Sequence, residues 1–263
     1  MSYNFSLTEP PTTPQVVDFI ASLACQSLSS QTIGLYVTAV SFQAKISGLP
    51  DPTNSFLVRK LLQGVRKSMP SGPDIRFPVT KPILDKLVSA LQFTTQSSYY
   101  RLMYTAMFTL CYYCLFRISE VVGNPPLTNH AIQFANILVQ EDTLSIYLQS
   151  SKTDKFSEGC TIVTHARSGQ YTCPVTAVKN YMAVRPSFPG QLFVNLNGKS
   201  TTRHDFTSVL QRTVEFCNLS PHIKSHSFRI GRASDLKKAG IDDNQIKERG
   251  RWSSSTFKHY IRN

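Results

Sequence analysis

Between Tyr99 and Val122 the chain places an apolar residue on nearly every face that a helix could present. A helix with no polar face has to lie inside a larger body. The stretch therefore predicts a central element, and the residues around it must be numerous enough to enclose it. Late in it comes a charge, Arg117, set between Phe116 and Ile118. A guanidinium in such surroundings needs a partner. Glu120, three residues on, can supply a structural ion pair; an anion brought by a ligand is the other solution.

The flanking segments read as shorter elements. Thr80 caps a helix that has Pro82 in its first turn and runs to about Gln92. Gln133–Val139, Thr143–Gln149 and Gly159–Thr164 alternate or carry β-branched residues, with turn signals at Glu141-Asp142 and Thr153–Ser157. They predict a three-stranded antiparallel sheet. Helices follow at Cys173–Val184 and Thr201–Asn218, with a short strand or extended piece at Leu192–Asn195 between them. Upstream, residues 1–13 are polar and proline-rich, and are expected to be a disordered tail. Three helices come next. The first, Pro14–Gln26, has Thr13 as its cap and Val16, Val17, Phe19, Ile20 and Leu23 facing inward. The second, Ser29–Ile46, carries apolar Ile33, Leu35, Tyr36, Val40 and Phe42 and ends at Gly48. The third, Ser55–Ser68, is capped by Asn54. Prolines and a glycine then mark residues 69–79 as a linker. The expected fold is mainly α with a small antiparallel β-sheet: a helical domain over 14–68 and an α+β domain over 80–263.

Charge narrows the partner. Lys and Arg number 28 against 16 Asp and Glu, a net charge of +12. That excess favours a polyanion, nucleic acid first and an anionic membrane surface second. No apolar run reaches membrane-spanning length and no charged-then-apolar leader opens the chain, so a soluble, non-secreted protein is expected. Six cysteines in such a protein should be reduced. Cys111 and Cys114 form the one C-x-x-C, with no second pair or suitable histidine spacing for zinc, and read as buried thiols. The third helix carries Arg59, Lys60, Arg66 and Lys67, a basic face that either tracks DNA phosphates or is simply solvated. Arg203, His204 and Arg212 are further candidates for meeting DNA.

The end of the chain carries the chemistry. Residues 222–263 read HIKSHSFRIGRASDLKKAGIDDNQIKERGRWSSSTFKHYIRN. His226 and Arg229 stand three apart, on one face of a helix. Trp252 and Tyr260 follow. Taken singly, each is more often a capping or packing residue. Together they make sense if a tyrosine hydroxyl attacks a phosphodiester held by positive groups.

This stretch resembles the second conserved box of the tyrosine recombinase (phage-integrase) family, and its Gly-Arg-Trp-Ser-Ser and Tyr-Ile-Arg wording is closest to recombinases of DIRS-like retroelements. Leu115-Phe116-Arg117-Ile118-Ser119-Glu120 resembles the family's first box, and Ser151-Lys152-Thr153-Asp154 fits its hairpin lysine. The ordered elements span about residues 14–263. The resemblance implies a core-binding domain over 14–68 and a catalytic domain over 80–263. The family's first domain has one more helix at its start, which residues 1–13 are too short to supply.

Arg117 and Arg229 would clamp the non-bridging oxygens of the transition state, supported by Glu120. His226 and Trp252 would add donors, Lys152 would protonate the leaving 5′-oxygen, and Tyr260 would be the nucleophile. The link would be a 3′-phosphotyrosine, formed without metal, ATP or other cofactor, on double-stranded DNA and in a self-associated dimer or tetramer. No Asp/Glu cluster resembling a two-metal nuclease site is legible. Integration of a mobile element is the implied role, in the nucleus of a eukaryote or otherwise in the cytoplasm. The competing reading is an inactive, element-derived DNA-binding protein.

Four departures from the family stand out. Trp252 to Tyr260 is eight residues, one fewer than usual, and an indole replaces the commoner histidine. Arg232 and Arg249 replace small or apolar residues. Only three residues follow Tyr260, so the longer tail with which many relatives dock on a neighbouring subunit is expected to be absent or replaced.

Overall fold

The computed structural model describes residues 11–69, 72–123, 130–150 and 158–262. Contacts divide the chain into two compact units, Met1–Asp74 and Ile75–Asn263.

The first unit is helical. Helix α1 (Thr13–Cys25) opens on a capping box: the Thr12 side chain accepts from the Gln15 amide while Gln15 reaches back to the Thr12 amide. The cap is thus Thr12 rather than Thr13. Helix α2 (Ser30–Ile46) is capped by Ser29 and closed by Gly48 in the left-handed region, φ +66°. Helix α3 (Phe56–Ser68) is capped by Ser55, one residue later than the sequence suggested, because Asn54 is used in a preceding 3-10 turn. Val16, Ile20, Leu23, Ile33, Val37, Val58 and Val65 form the core. Val17 and Phe19 pack at its edge. Leu35, Tyr36 and Phe42 are exposed, since Ile33, Val37 and Ala44 take the inward face of α2. Arg59, Lys60, Arg66 and Lys67 are all exposed on α3.

The second unit is built around the apolar stretch. Helix α4 (Lys81–Thr94) and helix α5 (Ser98–Tyr113) pack together, and most of α5 is buried. The helix does not run through to Val122 as the sequence suggested. It stops at Tyr113; Leu115 takes a left-handed φ of +52°, and a short helix α6 (Ile118–Val121) restarts with Arg117 at its cap. The reason is tertiary. The carbonyl of Leu115 accepts from the Arg229 guanidinium, and that of Cys114 accepts from Arg251 at 3.2 Å. Carbonyls that a continuing helix would have used internally are taken by arginines more than a hundred residues away.

The sheet comprises β1 (Ile137–Val139), β2 (Thr143–Leu148) and β3 (Cys160–His165), antiparallel in the order β1-β2-β3. Its register pairs Ile137 with Ile146 and Ile146 with Ile162. The first strand is shorter than expected, because Phe134–Asn136 forms a 3-10 turn before it. Helix α7 (Pro174–Met182) lies against α5 and helix α8 (Arg203–Phe216) against α4. Leu192–Asn195 forms no strand; Val194 makes only an isolated bridge to Ser200.

Helices α9 (Ser227–Lys238) and α10 (Asp243–Arg249) and a 3-10 turn, Ser255–Tyr260, complete the unit. The amides of Phe77 and Val79 donate to the carbonyls of His222 and Ser227, so this approach segment is held against the start of α9. Gly231 permits the crossing: a Cβ there would lie 1.7 Å from the Val79 carbonyl oxygen. Cys111 and Cys114 are buried free thiols, and burial raises the pKa of both.

Candidate active site

A cavity of about 420 Å³ opens in the second unit, lined by Arg117, Ser119, Arg203, His226, Trp252 and Tyr260 together with Ser253, Ser254 and Thr256. Its cationic and aromatic residues come from the cap of α6, the start of α8, the start of α9 and the chain after α10. The His226 and Tyr260 ring centroids lie 6.4 Å apart and those of Trp252 and Tyr260 5.1 Å apart.

Arg229 lies beneath this group rather than on its wall. It is fully buried, with its guanidinium 4.6 Å from the Trp252 ring centroid and 5.5 Å from that of Tyr260. One Nη donates to the Leu115 carbonyl and the other to the Gly250 carbonyl at 3.1 Å. Arginine carries five N–H donors, so these anchors leave Nε and others over; Nε is buried without a protein acceptor among the described residues. Burial lowers its pKa, with Arg117 and Arg251 adding to the effect and Glu120 opposing it.

Glu120 organises the arginines. It is 1% exposed, and its carboxylate accepts from the Arg117 amide at 2.7 Å, from Arg117 Nη1 at 3.0 Å and from Arg251 Nη2 at 2.7 Å. The ion pair between Arg117 and Glu120 is therefore present, and it holds Arg117 at the cavity wall. Arg251, between Gly250 and Trp252, was not legible as a site residue, because nothing in a basic chain sets this arginine apart. That residue takes a left-handed turn, φ +55°, which sends the arginine back toward Glu120 and the indole into the cavity. Gly250 is required beside it, since a Cβ there would overlap the indole at 1.6 Å.

His226 is neutral at neutral pH. Its pKa falls to about 4, by burial first and then by the charges of Arg76, Arg229, Arg117 and Arg203. Its Nδ1 and the Trp252 Nε1 are buried without a protein partner among the described residues. Buried polar atoms are normally satisfied, so an indole N–H and an imidazole nitrogen left over on residues of the cavity wall suit a hydrogen-bonding guest such as a phosphodiester.

Of the other expected residues, Arg203 is exposed at the cavity, whereas Arg212 is exposed on α8 and does not line it. Lys152 lies outside the described residues. Arg232 is accommodated by aromatic faces, its guanidinium 5.3 Å from the ring centroids of both Tyr112 and Tyr113. Among the described residues no group of three His, Cys, Asp or Glu stands together as a metal site, and no helix is long and apolar enough to cross a membrane.

A helical unit, an α+β unit with a three-stranded sheet and a cavity that collects two sequence boxes define a class. The chain belongs to the phage integrase family, the tyrosine recombinases, which are DNA strand transferases; residues 80–263 match it. Within that family it is similar to an integrase/recombinase XerD homolog of Selenomonas ruminantium, 22% identical over 96% of this chain and 74% of that protein. Its fold is that of the Tn1549 transposon integrase, solved with circular intermediate DNA (TM-score 0.61, 15% identity, 98% of this chain and 83% of that one). It is also that of the XerH site-specific recombinase, solved on its difH substrate after cleavage (TM-score 0.65, 14% identity, 96% and 67%).

Proposed function

We propose that this chain cuts and rejoins duplex DNA through a covalent bond between Tyr260 and a 3′-phosphate. The observation that carries the reading is the convergence of Arg117, His226, Trp252 and Tyr260 on one cavity, with Arg229 packed under the last two rings.

In the reaction the Tyr260 oxygen attacks the scissile phosphorus as its proton leaves. A P–O bond to tyrosine forms, the P–O5′ bond breaks, and the 5′-oxygen takes up a proton. Negative charge gathers on the non-bridging oxygens, where fixed donors stabilise the transition state more than the ground state. Arg117 reaches those oxygens from the wall, while Arg229 supplies charge from below. Neutral His226 and the Trp252 N–H add hydrogen bonds. Lys152 is the proposed acid for the 5′-oxygen. One phosphodiester is exchanged for another, so a second 5′-hydroxyl can reverse the attack and join strands without ATP, metal or other cofactor. The basic face of α3 and Arg203 support duplex binding, with Arg212 further along α8. Strand exchange requires self-association on paired sites. The Gly250–Ser254 wording supports a mobile-element integrase akin to DIRS-like recombinases, acting in the nucleus if its host is a eukaryote.

A duplex nicked next to the cleavage point loses its short 5′-hydroxyl fragment and should trap a protein–DNA adduct. Tyr260→Phe should abolish the adduct and EDTA should leave it unchanged. An adduct that persists with phenylalanine, or none with the native chain, overturns the reading; DNA binding without an adduct would leave a non-catalytic DNA-binding protein.

A further inference from the structure

Arg251 occupies a backbone conformation that L-residues avoid. A non-glycine residue at φ +55° costs on the order of 1 kcal/mol or more, and glycine would sit there freely. The side chain must therefore do something that its backbone would be easier without. Its contacts show what. Nη2 donates to Glu120 Oε2 at 2.7 Å and Nη1 to the Cys114 carbonyl at 3.2 Å, and the guanidinium lies 5.1 Å from the Phe116 ring centroid. The group is 13% exposed and does not line the cavity of Tyr260. It faces instead a second cavity, beside β3, with Arg232 and Arg249.

Glu120 is thus shared. One oxygen meets the Arg117 guanidinium, and the other meets Arg251 and the Arg117 amide. Without Arg251, Arg117 would be left as the one guanidinium among the described residues that hydrogen-bonds the carboxylate. Arg117 would be drawn into a tighter pair with Glu120, and its donors and its charge would be withdrawn from the cavity.

Resting on the proposed strand-transfer reaction, we infer that Arg251 is a positioning residue: by holding the far oxygen of Glu120 from behind, it keeps the Arg117 guanidinium turned toward the scissile phosphate. Arg251 never touches DNA in this arrangement. Its effect belongs to the chemical step and passes through Glu120.

Arg251→Gly is the informative variant, because glycine accepts the turn and removes only the guanidinium. Single-turnover adduct formation on the nicked duplex, at saturating DNA, should slow by about 10–100-fold. The Kd for the same duplex should change less than about threefold, and the Trp252 fluorescence melt should confirm the fold. Arg251→Lys should recover part of the rate. In a Glu120→Gln background Arg251→Gly should cost little more, because the residue it acts on is already altered. An unchanged rate in Arg251→Gly overturns the inference, as does an equal loss in both backgrounds. A protein that melts early, with a lost rate that lysine does not restore, also overturns it in favour of a purely structural role. Absence of an adduct with the native chain would instead reject the strand-transfer reading itself, so the two failures are separable.

Discussion

Replacing Glu120 with glutamine tests how the arginines are held. The carboxylate is 1% exposed and receives three N–H donors, two of them from guanidinium groups. Glutamine keeps the shape but removes the charge, and it turns an NH2 toward a guanidinium that can only donate. Arg117, Arg229 and Arg251 then stand together without the one negative charge that Glu120 supplied. Removing one partner from a buried ion pair costs about 3–5 kcal/mol. For a body of about 150–250 residues each kcal/mol moves Tm by about 2–4 °C, so a fall of about 6–20 °C follows. Trp252 is the single tryptophan and lies in the second unit, so its fluorescence follows that unit alone. Sulfate should recover part of the loss by lending the three cations an anion. A Tm within about 2 °C of the native chain would refute the reasoning, since the carboxylate could not then be balancing that charge.

Three further outcomes are expected. Trp252→Phe keeps an aromatic ring beside Arg229 and Tyr260 but loses the Nε1 donor; adduct formation should fall by about 100-fold with DNA affinity nearly unchanged, and an unaltered single-turnover rate would remove the indole from the chemistry. His226 has its folded pKa lowered from 6.5 to about 4, so the unfolded chain binds the proton first; stability should be flat above about pH 6.5, fall as pH drops toward 4, and lose much of this slope in His226→Gln, as read by melts across that window. Gly231→Ala pushes a methyl into the Val79 backbone and should cost about 3 kcal/mol in urea unfolding; a loss below about 1 kcal/mol would mean that the approach segment yields easily.

The candidate site was legible where chemistry is written in residue type. Arg117, His226, Trp252 and Tyr260 carry distinctive side chains in a fixed order, and the cavity collects all four. The break after Tyr113 was not legible. Cys114, Leu115 and Phe116 are apolar, with no glycine or proline among them, and local propensity favours continuing the helix. What ends it is the pull of Arg229 and Arg251 on two carbonyls, an interaction that exists only after the distant segments have met. Arg251 escaped notice for the same reason. As one arginine among many in a basic chain, it gains meaning only from its handedness at the turn and from Glu120 behind it. The caps of α1 and α3 were misplaced by a single residue, because several Ser, Thr and Asn side chains compete there and only geometry chooses.

The anchoring of Arg229 to the carbonyls of Leu115 and Gly250 bears on how such a gene can degenerate. If the proposed reaction holds, a lineage that stopped needing strand exchange could exchange the terminal phenol for a phenyl ring and keep a folded body. It could not so readily discard this guanidinium, which ties the strand of chain before α6 to the one after α10. In a collection of related sequences, persistence of that arginine would therefore testify to a surviving fold, and persistence of the tyrosine to survival of the proposed reaction.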